Sequence, residues 1–293
     1  MDLNTAEAVV RVGAGADGLR WPAGDGWRPG DAWLAGGSWL FSEPQPQVRR
    51  LIDISAVGWP ALTVRPEGLE IAATCTLAEL FALAPESQGV REQPSAGLLP
   101  AEWEAARLIA PCCRALRGSF KVWNVATVGG NLCLALPAGP MISLTAALDG
   151  VCTLWAAGGG VRRVPVLELV VGAGECALAD GELLRSISLP AAALRGRPAL
   201  RQLSLHERGR SAVLLIGLLA PSDGAFTLTV TAATRRPVRL AFDALPAAGE
   251  LAEAIDAAVP DAVRVDDVHG SPAWRAHLAR VYGEEIRREL GGG

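Results

Sequence analysis

Two glycine-rich segments hold most of the chemical information in this sequence. Ala35-Gly36-Gly37-Ser38 follows a run with strand character, and Thr127-Val128-Gly129-Gly130-Asn131 precedes an apolar stretch. Paired glycines adopt turns closed to residues with a Cβ and let backbone N–H groups approach a ligand. Successive N–H groups of that kind form a concave nest suited to phosphate oxygens. Neither segment reads G-x-G-x-x-G or G-x-x-x-x-G-K-[ST], so the dinucleotide fingerprint and the P-loop are both excluded. One Gly-Gly pair is more often only a tight turn. Two in one chain point to an anionic ligand held by backbone.

Other reactive groups form no pattern. Cys75, Cys112, Cys113, Cys133, Cys152 and Cys176 show no CxxC or Cys/His spacing suited to zinc. A clustered set such as CxxxxCxxC for a plant-type iron–sulfur centre is missing as well. Their apolar neighbours mark most of these thiols as small hydrophobes, the Cys112-Cys113 pair included. His206, His269 and His277 are scattered and read as surface or packing histidines. No general base or nucleophile stands in a motif.

The elements that must position the two segments form an α+β series. A strand enters the first turn at Leu34, and another follows at Leu51–Ile54. Ala61–Val64 and Leu69–Ala73 form a hairpin around Pro66-Glu67-Gly68. Thr76 and Glu79 make a capping box that opens a short helix through Leu83. A longer helix is predicted over Glu102–Arg117, kinked or divided at Pro111. A helix near Ser143–Leu148 and strands at Val151–Trp155, Val161–Val164 and Leu183–Leu189 follow. Ala191–Pro198, rich in Ala, Arg, Gly and Pro, reads as a domain boundary. Beyond it lie strands at Leu200–His206, Val213–Leu219, Phe226–Ala233 and Val238–Phe242, then helices over Ala247–Ala258 and Pro272–Leu290. Ser271 is placed to cap the last of these and Pro272 to open it, and the Gly291–Gly293 tail is expected to fray.

Composition narrows the classes. Half of the 293 residues are apolar and 20% are charged, which excludes disorder and suits about two domains. The net charge of −4 gives no basic footprint for nucleic acid or an anionic membrane. The 27 basic residues include a single lysine, Lys121, which fits codon bias in a GC-rich genome. The 27 residues between Lys121 and Asp149 carry no charge, long enough to span a bilayer by count. Gly129-Gly130-Asn131, Pro137 and Pro140 would break such a helix and strand polar backbone in lipid, so a buried segment is expected. Met1-Asp2-Leu3-Asn4 carries no basic or apolar leader pattern, and a cytoplasmic location is expected.

Taken in order, AGGS after a strand, LIDIS, NVATVGGN, a Pro-containing loop and GELLRSISLP resemble one family. It is the FAD-binding medium subunit of the xanthine dehydrogenase and carbon monoxide dehydrogenase group of molybdenum hydroxylases. Ala35–Leu40 is similar to the family's A-G-G-[TSH]-x-L turn and Asn124–Asn131 to its N-x-A-T-x-G-G-N box. Gly181–Pro190 resembles the strand that ends its flavin domain, and Ser271–Leu290 its C-terminal helix. The resemblance implies an α+β fold: a flavin domain of the vanillyl-alcohol-oxidase (PCMH) type over 1–192, with subdomains of about 1–58 and 59–192. A smaller α+β domain, 193–293, completes the chain.

The resemblance also implies chemistry. Non-covalent FAD would meet Ala35, Gly36, Gly37, Ser38, Trp39 and Leu40 in the pyrophosphate turn. Thr127, Val128, Gly129, Gly130 and Asn131 would form a second flavin-contacting turn, with Pro137, Leu184 and Arg201 beside the cofactor. Molybdopterin and two [2Fe–2S] clusters would belong to a large and a small partner subunit, in a doubled heterotrimer. Electrons would pass from the clusters to FAD and on to an external acceptor. Four residues depart from the pattern. Trp39 stands where an acidic or polar residue is usual, and Trp123 replaces an arginine. Leu136 and Pro140 stand where the family's S-P-x-x-D segment supplies a hydroxyl and a carboxylate. Each lost hydrogen bond costs roughly 0.5–1.5 kcal/mol. Besides the flavin subunit, two readings stand: a scaffold subunit of the same fold with a degenerate flavin site, and an independent flavin oxidase.

Overall fold

The first residues to take regular form build a small parallel sheet. The computed structural model describes residues 6–15, 19–84, 99–207 and 209–292. The expectations for Met1–Asn4 and for Gly293 lie outside the described residues. Strand β1 (Ala8–Arg11) leads to a short hairpin, β2 (Gly13–Ala14) and β3 (Leu19–Arg20), then to β4 (Asp31–Leu34) and β5 (Arg50–Asp53). The central strand β5 runs parallel to both β1 and β4. Val12, Ile52, Ile54 and Val57 pack with Leu183 from a distant strand, and Trp21, Trp27, Trp33 and Trp59 surround them. The Trp27 and Trp33 rings stack at 4.8 Å, and the Trp33 indole N–H donates to the Glu182 carbonyl at 3.0 Å. Part of the tryptophan excess is thus used to join this sheet to the next layer.

The second layer begins with the expected hairpin, β6 (Leu62–Arg65) and β7 (Gly68–Ala72), and helix α1 (Leu77–Phe81). Its capping box is formed: Glu79 N–H donates to Thr76 Oγ1 at 3.2 Å and Thr76 N–H to the Glu79 carboxylate at 2.8 Å. The long helix divides elsewhere than predicted. A 3₁₀ turn, Glu104–Leu108, gives way to α2 (Ile109–Ala115), so Pro111 falls in a first turn, where its missing N–H costs no intrahelical bond. The uncharged stretch folds into α3 (Phe120–Trp123), α4 (Val128–Cys133) and α5 (Pro140–Ala147). Every residue of α5 is buried. No helix among the described residues is long and apolar enough to cross a membrane. Strands β8 (Val151–Trp155) and β9 (Val161–Pro165) come next, followed by α6 (Val166–Leu169) and the hairpin β10 (Val170–Gly172) and β11 (Glu175–Cys176). Strand β12 (Leu183–Pro190) then enters the middle of an antiparallel sheet ordered β6-β7-β12-β8-β9. Ile71, Leu80, Ile109, Leu132 and Leu144 belong to the core between this sheet and its helices.

After α7 (Ala191–Leu194), four strands form an antiparallel meander: β13 (Arg197–Ser204), β14 (Ser211–Leu219), β15 (Phe226–Thr231) and β16 (Val238–Phe242). Helices α8 (Ala248–Ala258) and α9 (Pro272–Gly291) close the chain. Ser271 accepts from Trp274 N–H at 3.4 Å as the N-cap of α9, and Gly292 ends the helix with φ of +83°. The apolar run of β14 serves two cores. Val213 and Leu215 face the α8–α9 side, while Leu214, Ile216 and Leu218 join the core of the second layer. Alternation along one strand thereby fastens the C-terminal unit to the rest. A buried bond between the hydroxyls of Ser143 and Thr231, 2.7 Å, adds a polar tie.

Candidate functional site

A cavity of about 500 Å³ opens where these units meet. The turn after β4, the end of α2, helix α4, the loop from Leu136 to Pro140 and the C-terminal unit all contribute walls. This volume is in the range of ligand pockets.

The first glycine turn is built by close approach. The chain leaves the sheet at Leu34, whose carbonyl accepts from Ile54 N–H at 2.9 Å. A Cβ on Gly36 would lie 1.6 Å from the Val125 carbonyl oxygen. Gly37 has φ of +69°, and a Cβ there would press on the Phe41 ring at 2.5 Å. The Gly37 carbonyl accepts from Phe41 N–H, 3.0 Å, and the Ser38 carbonyl from Ser42 Oγ, 2.7 Å. The amides behave differently. Those of Gly36, Gly37, Ser38 and Trp39 have no acceptor among the described residues, and all four residues line the cavity. Backbone N–H groups left open beside a cavity are an anion-binding arrangement.

The second segment is not the turn its glycines predict. Thr127 is the N-cap of α4, and the glycines occupy that helix's first turn. Their amides are already bonded: Val128 N–H to Cys75 O at 2.8 Å, Gly129 N–H to Ala73 O at 3.0 Å, and Gly130 N–H to Thr127 Oγ1 at 3.0 Å. Gly129 is required by packing, because a Cβ would lie 2.5 Å from that of Ala73. Asn131 has a structural task too. Its Oδ1 accepts from Met141 N–H at 3.0 Å and so satisfies the start of α5, whose own N-cap residue, Gly139, offers no side chain. The second of the two nests expected from the sequence is a helix start.

The wall opposite comes from two loops. The Pro137 carbonyl accepts from Ala232 N–H at 2.9 Å, tying Leu136–Pro140 to the end of β15. Ala135 (φ +48°) and Ala232 (φ +64°), both in the left-handed region, flank this contact. Behind Ala232 lies Arg275 of α9, 1% exposed. Its guanidinium donates to the carbonyls of Ala212, Ala232 and Gly270 at 2.6, 2.7 and 3.0 Å, and pairs with Asp267. Arg275 thus locks the C-terminal wall to the strand ends.

Of the residues singled out in the sequence, Ala35–Leu40, Thr127, Gly130, Asn131 and Pro137 line the cavity. Leu136 and Pro140 do so as well, and present no side-chain hydrogen bond to it. Val128, Gly129, Leu184 and Arg201 do not line it. Leu184, 2% exposed, belongs to the second-layer core, since the alternation of β12 turns it inward. Arg201 is held on the far face of β13 by Glu285 and Glu289 of α9, at 2.7 and 2.8 Å. Trp123 stacks edge-on with Phe81 at 5.3 Å and donates to the Leu116 carbonyl at 3.3 Å. Sequence reasoning missed Arg117, Arg210, His269 and Arg275, which line the cavity from elements distant in the chain. Arg117 and Arg210 have no carboxylate partner among the described residues. Open amides with two such arginines suit a diphosphate. The 136–140 loop lines the cavity with apolar side chains and backbone and offers it no side-chain donor.

Residues 28–192 match the family model described as the FAD binding domain in molybdopterin dehydrogenase. Xanthine dehydrogenase 2 of Arabidopsis thaliana is 28% identical over 130 residues, covering 44% of this chain and 9% of that protein's length. The structure of quinoline 2-oxidoreductase from Pseudomonas putida 86 superposes with a TM-score of 0.70 at 18% identity, covering 90% of each chain. Reconstituted CO dehydrogenase from Oligotropha carboxidovorans gives 0.68 at 20% identity, covering 89% of this chain and 90% of that one. At such identities the superpositions speak for the fold, the PCMH-type flavin architecture expected above. With more than half of its 293 residues matched to the family model, the chain belongs to the FAD-binding domains of molybdopterin dehydrogenases.

Proposed function

We propose that this chain is the flavin module of a multi-subunit molybdenum hydroxylase, holding FAD non-covalently in the cavity between its three units. The observation that carries this reading is that the amides of Gly36, Gly37, Ser38 and Trp39 have no acceptor among the described residues, and that these four residues line a cavity that Arg117 and Arg210 also line. In this reading the turn and the two arginines bind the diphosphate. The apolar surface of Leu136, Pro137 and Pro140 excludes water from the ring, and Arg275 keeps the C-terminal wall in place. FAD, when bound, supplies the redox chemistry, taking electrons from [2Fe–2S] clusters and passing them to an external acceptor. Molybdopterin and the clusters reside in a large and a small partner subunit of a doubled heterotrimer in the cytoplasm.

A second reading keeps the fold and the partners but not the cofactor. It is favoured by the bonded amides of α4 and by the lack of a side-chain hydroxyl or carboxylate at Leu136 and Pro140. Absorbance of the purified assembly separates the two. A flavin band that follows this subunit through purification supports the first, and a colourless subunit in an intact molybdenum and iron–sulfur complex supports the scaffold.

A further inference from the structure

Three of the six cysteines gather behind the cavity wall. Cys133 ends α4 and lines the cavity; Cys176 lies on β11; Cys152, fully buried on β8, sits beside both. The backbone holds the first two together. Gly174 N–H, in the turn before β11, donates to the Ala135 carbonyl just past α4 at 2.9 Å, and Ala177 N–H donates to Leu169 O at 2.8 Å. The two thiols thereby lie next to each other. Both residues are partly exposed, whereas Cys75, Cys112, Cys113 and Cys152 are buried.

The surroundings distinguish the pair further. Arg162 Nη2 donates to the Ala177 carbonyl at 2.7 Å, which brings its guanidinium next to Cys176. Contact with the Cys133 thiol, helped by Arg162, which also pairs with Glu182 at 2.6 Å, outweighs burial and lowers the Cys176 thiol below its ordinary value, while the same contact and burial raise Cys133. Burial pushes the Cys152 thiol up to about 12. A thiolate is the attacking species in exchange, and an adjacent thiol is its natural resolving partner.

We propose that Cys133 and Cys176 are a redox pair that closes to a disulfide by exchange with a low-molecular-weight disulfide such as oxidised glutathione. The Cys176 thiolate attacks one glutathione sulfur, breaks its S–S bond and releases one glutathione thiolate. Cys133 then loses its proton and attacks the Cys176 sulfur of the mixed disulfide, expelling the second glutathione. Two protein thiols are oxidised, one glutathione disulfide is reduced to two thiols, and the Cys133 proton ends on the departing sulfur. Because Cys133 lines the cavity, the new bond would tether the helix that carries Gly130 and Asn131 to the β10–β11 hairpin. The pair stands independently of what the cavity holds.

The test is a peptide map of the full-length chain after native incubation with oxidised glutathione and acid quenching. The expected result is a Cys133–Cys176 cross-linked peptide and the loss of two thiols in denaturant, the other cysteines remaining free. Cys133→Ser should instead keep one glutathione on Cys176, and Cys176→Ser should yield no cross-link. A wild-type map with stable glutathione on Cys176 beside a free Cys133 would overturn the proposal. So would two untouched thiols in protein that reacts fully once denatured. The wild-type map decides even if a serine variant fails to fold.

Discussion

The backbone of Gly36 passes so close to Val125 that a Cβ on Gly36 would stand 1.6 Å from the Val125 carbonyl oxygen. The turn that presents open amides to the cavity therefore leans on the residues just before the Thr127 cap. Residues far apart in sequence thus form one construction, the first glycine turn packing against the backbone of Val125 and Ala126.

Gly36→Ala should accordingly destabilise the chain by about 1–3 kcal/mol or more, because a backbone carbonyl cannot rotate away. Gly130→Ala should be nearly neutral. Its Cβ would meet only Thr127 Oγ1, at 3.0 Å, and alanine is favoured over glycine within a helix by about 1 kcal/mol. Thermal unfolding of the two variants checks the contrast.

Asn131→Ala removes the acceptor for Met141 N–H, and Met141 is fully buried. An unsatisfied buried donor costs about 1–3 kcal/mol. Asn131→Asp retains the acceptor and should recover most of that loss in urea unfolding. Equal stabilities for the alanine and aspartate variants would show that the bond contributes little.

Arg275→Met leaves three carbonyls and Asp267 without their donor. Asp267 is exposed, so the cost is that of the buried Ala212 and Ala232 carbonyls left without a donor, about 1–3 kcal/mol. Arg275→Lys should recover only part, because an ammonium lacks the planar fork that reaches Gly270, Ala212 and Ala232 together. Denaturant midpoints of the three proteins measure this.

Acid should loosen the N-terminal sheet first. Burial alone would raise the Asp31 carboxyl, but the Arg50 guanidinium and the Arg28 amide outweigh it and hold Asp31 below its usual 3.8. Asp53 is lowered likewise, its burial outweighed by bonds from Ser55 and Arg11, and Asp25 is lowered by the Arg50 bond. A depressed carboxyl contributes stability that is complete above its unfolded value and lost as pH falls through the folded one. The melting temperature should thus fall below about pH 3.8, and Asp31→Asn should flatten that fall. An unchanged acid profile in Asp31→Asn would contradict this assignment.

Much of this was legible in the chain. The hairpin around Pro66-Glu67, the Thr76–Glu79 box, the meander and the Ser271–Pro272 helix start are local patterns, and local patterns determine them. The glycine pair at 129–130 misled because Gly-Gly reports only that a Cβ is not wanted. Here Ala73 packing excludes it, and the amides go to Cys75, Ala73 and Thr127. Arg117, Arg210 and His269 carry no motif. They meet at the cavity only because β14 fastens the C-terminal unit over the second layer, a relationship no window of sequence displays. Arg201 was misplaced for the converse reason: α9 folds back over β13 and engages it.

In the proposed function the open amides of the first turn hold the diphosphate of FAD. Titration of the chain with FAD, beside a Gly37→Val variant of unchanged circular dichroism, is the decisive measurement. Valine has a branched Cβ where φ is +69° and should displace the turn. Loss of one or two charge-assisted hydrogen bonds, about 1.5–3 kcal/mol each, predicts FAD binding weakened at least ten-fold. Equal affinities for the two proteins, or a wild-type chain that takes up no FAD, would contradict it.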